Sequence, residues 1–282
     1  MNIIENQNFP SERDLYGSDG VWLKGCTFQG EEDGESALKE SRHIRLDDCY
    51  MDLRYPLWHD TDVELNRVTT TANCRAALWY TAGVRITDCT LGGIKALREC
   101  QDITMDNVRV TSPEFGWKCR GITVKGSEIE GEYPFFLSRD LRLNDVRLKG
   151  KYSFQYVENM VIENSVFDTK DAFWHSKNVT VRDSVIKGEY LAWYAEGLTL
   201  ERCRIIGTQP LCYCRDLKLI DCEMVDADLA FEYSDVEATL RGEVVSVKNP
   251  RSGHITVDRI GEILLTPDSV YPCDCVIEQT GR

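Results

Sequence analysis

From Ile44 onward, apolar and polar residues alternate for a few positions at a time, break off, and start again. The recurring unit is apolar–x–apolar–x–(Asp/Asn/Gly/Arg)–(Cys/Val/Ser)–x–apolar, as in Ile44-Arg45-Leu46-Asp47-Asp48-Cys49-Tyr50-Met51. It restarts at Val63, Val84, Ile103, Ile122, Leu141, Met160, Val179, Leu198 and Leu217, in eight steps of 19 residues and one of 21. An earlier copy begins at Val21, and weaker copies at Val236 and Ile255 keep the spacing but lose the pattern. Alternation puts side chains i and i+2 on one face, so each copy predicts short strands rather than helix.

The polar positions predict where the chain turns. Asp48, Asp88, Asn107, Asp145, Asn164, Asp183 and Asp221 follow the first strand, and Asn and Asp tolerate the left-handed backbone of a tight corner. Gly93, Gly131, Gly150, Gly188 and Gly207 mark a second break. Asp62, Gly83, Asp102, Gly121, Asp140, Asn159, Asn178, Gly197, Asp216 and Asp235 precede each restart. Three strands and three corners per 19 residues describe one triangular coil. The expectation is an all-β, single-stranded right-handed parallel β-helix with about eleven clear coils, roughly 50 Å long at the usual strand spacing. Leucine-rich repeats overlap this length, but their Leu-rich frame is absent. Each coil buries its apolar faces only against its neighbours, so the ends need caps. Residues 1–20 are expected as an N-terminal cap, 21–235 as the repeats and 236–282 as degenerate coils and a C-terminal cap, one domain in all. Arg241, Lys248, Pro250 and Arg251 would blunt the open edge there.

The third strand is unusual. One column holds Trp58, Trp79, Arg98, Trp117, Phe136, Gln155, Trp174, Trp193, Cys212 and Phe231, which takes in five of the six tryptophans. The column before it holds Leu57, Leu78, Phe135, Phe154, Phe173 and Leu211. The column after it holds His59, Tyr80, Glu99, Lys118, Leu137, Tyr156, His175, Tyr194, Tyr213 and Glu232, and small residues follow. Strand alternation puts the Trp and small columns on one face and the Leu/Phe and His/Tyr columns on the other. The small residues suggest that the Trp face is inward; with the opposite parity the tryptophans lie outside. Either way an aromatic stripe several coils long is left on the surface, more than a soluble monomer normally shows.

Composition narrows the partners. A net charge of −14 and a pI near 4.8 argue against nucleic acid and anionic membranes. No apolar stretch is long enough to span a bilayer, and residues 1–8 lack the basic start and apolar run of a secretion signal, so a cytoplasmic protein is expected. Among twelve cysteines, Cys26/Cys49, Cys100/Cys119 and Cys203/Cys222 hold equivalent places in successive repeats. Cys212-Tyr213-Cys214 and Cys273-Asp274-Cys275 have no histidine at finger spacing. Inert core thiols are expected rather than zinc or disulfides.

Glu12-Arg13-Asp14-Leu15-Tyr16, Gly34-Glu35-Ser36-Ala37-Leu38-Lys39-Glu40 and Tyr55-Pro56-Leu57-Trp58 resemble a bacterial family of pectin-lyase-like β-helix proteins catalogued only as a domain of unknown function. The resemblance implies the fold and no activity. The Asn-Thr-Asp and Gly-His-Gly stretches of polygalacturonases are absent, as is the calcium-holding acidic cluster of pectate lyases.

Two functional readings fit the stripe. It could bind a carbohydrate, with rings stacking on sugar faces and polar residues holding hydroxyls; or it could bury itself against another subunit as a structural scaffold. A third possibility is that a terminal cap folds over it. Cleavage would require carboxyls or a base at short range. The candidate catalytic residues are His59, Glu99 and Asp60; candidate substrate-binding residues are Tyr80, Lys118, Tyr156, His175, Tyr194 and Tyr213. The bland alternative for the first group is a surface ladder of alternating charges. His59, Asp60 and Glu99 could hold a hard cation, but nothing in the pattern requires a metal or cofactor. His43 and His254 are expected at corners.

Overall fold

Isoleucine, valine and leucine at alternate positions build the first side of each coil. The computed structural model describes residues 1–31 and 34–281. In it Arg42–Asp47, Thr61–Asn66, Ala82–Thr87, Gln101–Asp106 and Arg120–Lys125 are six-residue strands paired in parallel. The register places Val63 beside Val84, Ile103 and Ile122, and Leu65 beside Ile86, Met105 and Val124. All eight are essentially buried. Each coil thus adds aliphatic side chains to two continuous columns, and truncating one to alanine would cost about 2–5 kcal/mol. The chain is a right-handed parallel β-helix of about fifteen turns. The one short helix among the described residues is the 3-10 turn Ala72–Cys74, inside the single 21-residue step.

The described chain divides into two compact units, 1–142 and 143–282; Arg282 lies outside the described residues. In the first unit Asp48, Asp88 and Asn107 have φ near +54°. In the second Asp145, Asn164, Asp183 and Asp221 do the same, with φ between 49° and 55°. Gly126, Arg67 and Arg202 fill the same corner. The two arginines earn that conformation with paired hydrogen bonds to the preceding corner aspartate: Arg67 to Asp48 at 2.6 and 2.8 Å, and Arg202 to Asp183 at 2.7 and 2.8 Å. The residues expected just before each restart are also left-handed, from Asp62 to Asp216; Asp235 is not.

The ends differ from the expected caps. Residues 1–20 contribute a further coil, since Asn2–Glu5 pairs in parallel with Val21–Lys24. At the other end the corner is lost, and two sides fuse into the long strands Asp235–Lys248 and Ser252–Leu264. Val236 pairs with Gly253, so Ile255 lies beside Ala238, two places from the expected register. His254 accordingly sits within a strand, 3.3 Å from Glu278, while His43 is at a left-handed corner. The basic residues expected on an open edge are paired with acids of the preceding coil: Arg241 with Asp221, Lys248 with Glu232 and Arg251 with Asp235. The last strand is Val276–Gln279.

Ten of the twelve cysteines are buried, and all twelve are free thiols. Cys26, Cys49, Cys89, Cys203 and Cys222 follow the first corner, each donating its S–H to a backbone carbonyl. Serine does the same at Ser127, Ser165 and Ser184. Thiol and hydroxyl therefore interchange at this position because both are small and both donate.

Candidate functional site

The third side does not follow strand alternation. In the first unit it is reduced to the two-residue strands Leu57–Trp58, Leu78–Trp79 and Leu97–Arg98; in the second the equivalent segments are turns. Leu57 is buried, Trp58 half-buried, His59 exposed and Asp60 buried again, and the same order recurs at Leu78 to Thr81 and Phe173 to Ser176. At His59, Tyr80 and Glu99 the cause is the backbone of the outward residue; at Phe154, Phe173, Ala192 and Leu211 the buried residue is left-handed as well, with φ of 59–64°. His59, Tyr80, Glu99 and Lys118 have φ of 62°, 53°, 52° and 53°; Tyr156, His175, Tyr194 and Tyr213 have 56°, 55°, 62° and 62°. A left-handed residue reverses the side-chain direction, so both Trp and His/Tyr columns face outward while Leu/Phe and small residues face inward. Neither parity expected from alternation is realised. Rung-to-rung bonds hold this strained backbone, for example His59 N–H to Trp79 O at 2.9 Å and Tyr194 N–H to Cys212 O at 3.1 Å.

The outward rings stack on one another. In the first unit Lys39 Nζ lies 3.9 Å from the Trp58 ring, Trp58 and Trp79 stack at 5.3 Å, and the Arg98 guanidinium sits between Trp79 and Trp117 at 5.8 and 5.7 Å. In the second unit Tyr156, His175, Tyr194 and Tyr213 form a ladder with centroids 4.8, 5.0 and 4.7 Å apart and planes within 12°. Interior rings of these stacks have both faces covered. A ligand therefore meets ring edges and phenol hydroxyls, and the expected stacking of sugar faces on these interior rings is not available. Tyr80, Tyr156 and Tyr194 remain 43–45% exposed. Among the described residues a terminal segment packs on the end of the ladder, where Tyr271 meets Tyr233 at 5.2 Å. Tyr233, not Glu232, continues the His/Tyr column there: an added residue moves Phe231 into the buried column and Glu232 beneath Tyr213.

The candidate catalytic residues are only partly brought together. His59 Nδ1 lies 3.1 Å from Glu40 Oε1 on the preceding coil, and its ring packs 5.0 Å from Tyr80. With Glu40 accepting from Nδ1–H, Nε2 is left as the acceptor. Glu40 stands 19 residues before His59 and holds the same left-handed place in its own coil, with φ 63°. Glu99 stands two coils from His59 in the same column and accepts from Arg98 Nε at 3.1 Å. Asp60 faces the opposite way, fully buried, so it shares no surface with His59 and Glu99. Burial pushes its carboxyl up to about 8, and Tyr213 is raised to about 12 by burial and then by Glu232. Lys118 is exposed in the same column. Among the described residues no group of three or more His, Cys, Asp or Glu is arranged to hold a metal ion. A separate groove of about 670 Å³ lies on the first side, lined by Trp22, His43, Arg45, Asp62, Glu64 and Arg85 among others.

A family model described as "Protein of unknown function (DUF3737)" matches residues 2–278. The chain belongs to this family. No curated protein matches it. Among solved structures the DUF3737 chain is similar to the Streptococcus pneumoniae surface protein and adhesin PfbA, with 8% identity and a TM-score of 0.36 over 93% of this chain and 92% of that one. It is similar to the Azotobacter vinelandii mannuronan C-5 epimerase AlgE4 A-module at 10% identity and TM-score 0.30, covering 93% and 91%. A GH87 α-1,3-glucanase catalytic domain follows at 10% identity and 0.31, covering 93% and 64%. Likeness at this level assigns DUF3737 no ligand. No helix among the described residues is long and apolar enough to cross a membrane.

Proposed function

We propose that this protein binds an extended carbohydrate along its left-handed outward columns. One column is His59, Tyr80, Glu99 and Lys118 in the first unit; the other is Tyr156, His175, Tyr194 and Tyr213 in the second. The observation that carries the reading is the presentation of one hydrogen-bonding side chain per coil on an exposed, pre-stacked row, with rings 4.7–5.0 Å apart in the second unit. A polymer of sugars offers hydroxyls at a comparable repeat. Side chains already ordered by stacking lose little rotamer freedom on binding. Phenol hydroxyls, the Glu99 carboxylate and the Lys118 ammonium supply donors and acceptors of both kinds. The Glu40–His59 pair is the point in the first column where proton transfer is set up, so cleavage, where it accompanies binding, belongs there.

Affinity electrophoresis against neutral and uronate polysaccharides tests this. Retardation by at least one polymer is expected, weakened about tenfold or more, roughly 1.4 kcal/mol, by Tyr194→Ala or Tyr80→Ala. Migration unaffected by every polymer would sink the proposal. A second reading is favoured by Leu137, which stands 45% exposed in the same column: the column seats a second copy of the chain. Light scattering would then show a dimer or larger that reverts to monomer with Tyr156→Asp or Tyr194→Asp.

A further inference from the structure

Behind several left-handed corners one backbone N–H turns inward, off the rung-to-rung ladder, and a side-chain oxygen or sulfur of the next coil caps it. After the first corner, Val108 N–H donates to Ser127 Oγ at 3.0 Å and Val146 N–H to Ser165 Oγ at 3.1 Å. After the His/Tyr column, Ser18 N–H donates to Ser41 Oγ at 3.0 Å, Cys119 N–H to Ser138 Oγ at 2.9 Å and Cys214 N–H to Ser234 Oγ at 2.8 Å. After the His/Tyr column the capping group in turn donates its own proton to a carbonyl of the preceding coil's Leu/Phe column. Thr81 donates to Leu57 O at 3.0 Å, Cys100 to Leu78 O at 3.4 Å, Cys214 to Ala192 O at 3.0 Å and Ser234 to Leu211 O at 2.7 Å. Ser138 and Ser234 thus both accept and donate, whereas Val157 and Ala195 fill the same place with buried apolar side chains.

Asp60 is the one carboxyl in either column among the described residues. Its Oδ1 accepts from Ser41 N–H at 2.8 Å, as a serine would. Its Oδ2 is buried with no hydrogen-bond partner, and the residue is 0% exposed. An ionised carboxylate has no proton to donate and would leave the equivalent carbonyl, that of Leu38, facing a buried charge. We propose that Asp60 is carried as a neutral carboxylic acid, its Oδ2–H donating to the Leu38 carbonyl, so that this coil takes up a proton when it folds. Burial is the main cause favouring the neutral form; Glu40 and Cys100 add to it, and the Ser41 N–H opposes it. His59, its chain neighbour, faces outward and is paired with Glu40. The inference does not depend on any ligand for the outer column.

Equilibrium urea unfolding of the full chain and of Asp60→Ser, followed from pH 5 to pH 9, tests it. Serine occupies this place at Ser41, Ser138, Ser176 and Ser234, so the variant is expected to fold. Relative to Asp60→Ser, the wild-type unfolding constant should rise about tenfold per pH unit up to about pH 8 and then level off. Parallel pH dependence of the two proteins would overturn the proposal. A carboxyl carbon-13 titration of wild type gives a readout independent of the variant's folding. A midpoint well above 6 supports neutral Asp60; one near the ordinary 3.8 overturns it.

Discussion

Single residues in this fold are specified by what the backbone does one coil away. Ser165 accepts the Val146 N–H and donates to Glu163 O at 2.7 Å. Ser165→Ala strands a buried amide, a loss of about 1–3 kcal/mol. In native-state hydrogen exchange the Val146 amide should then exchange about ten- to hundredfold faster, whereas Ser165→Cys should stay close to wild type. Equal acceleration in both variants would show that volume, not capping, sets the choice. Gly188 is constrained differently. Its φ is 152°, and a Cβ there would lie 2.2 Å from Thr169 O, in backbone that cannot yield without disturbing the coil. Gly188→Ala is expected to cost more than about 2 kcal/mol, read as a lowered thermal midpoint.

At the scale of elements, the first side and its corners were legible because a two-residue alternation ends in Asp or Asn at a constant place. Asp48, Asp88 and Asn107 could be placed from spacing alone. Spacing put Arg67 and Arg202 at the same corner but did not give their left-handed backbone, which rests on pairing to Asp48 and Asp183 rather than on intrinsic preference. The third side was legible as a set of columns, not as a set of faces. Alternation assumes extended backbone, and the left-handed residue at His59 or Tyr194 cancels it. The Trp column thus became a half-buried brace. Trp117, Trp174 and Trp193 donate Nε1–H to carbonyls of Tyr133, Tyr190 and Gln209 at 2.7, 2.7 and 2.8 Å. Gln155 makes the same bond to Asp171 O at 3.0 Å. That equivalence predicts Trp193→Gln to be milder than Trp193→Ala, which loses both the stack on Trp174 and the bond, about 3–5 kcal/mol in all. Urea midpoints of the two variants decide it; identical losses would mean the N–H contributes nothing.

For the whole molecule, carboxylates of two kinds act in opposite directions on stability. Asp19, Asp48, Asp183 and Glu201 are held below their ordinary range first by side-chain hydrogen bonds, from His43 and Arg42, from Arg67, and from Arg202. Asp47 and Asp235 are also lowered: burial opposes this, but hydrogen bonds from Asn66, Arg45 and Trp22, and from Arg251 and Ser252, outweigh it. A depressed carboxyl stabilises the fold above its unfolded value and loses that contribution as pH falls toward its folded value. Most of these groups are solvent-exposed, so each contributes little, and they act as a set. Asp60 has the reverse sign: raised from 3.8 to about 8, it stabilises most at low pH and loses that contribution as pH climbs between those values. The sum should be greatest just above the ordinary carboxylate range, near pH 5, and should decline toward pH 8. Thermal midpoints of wild type across pH 3 to 9 should trace that asymmetric peak. In Asp60→Ser the acid limb should persist while the decline from pH 5 to 8 flattens into a plateau. A wild-type maximum at pH 7 or above would mean that the buried acid does not govern the neutral range.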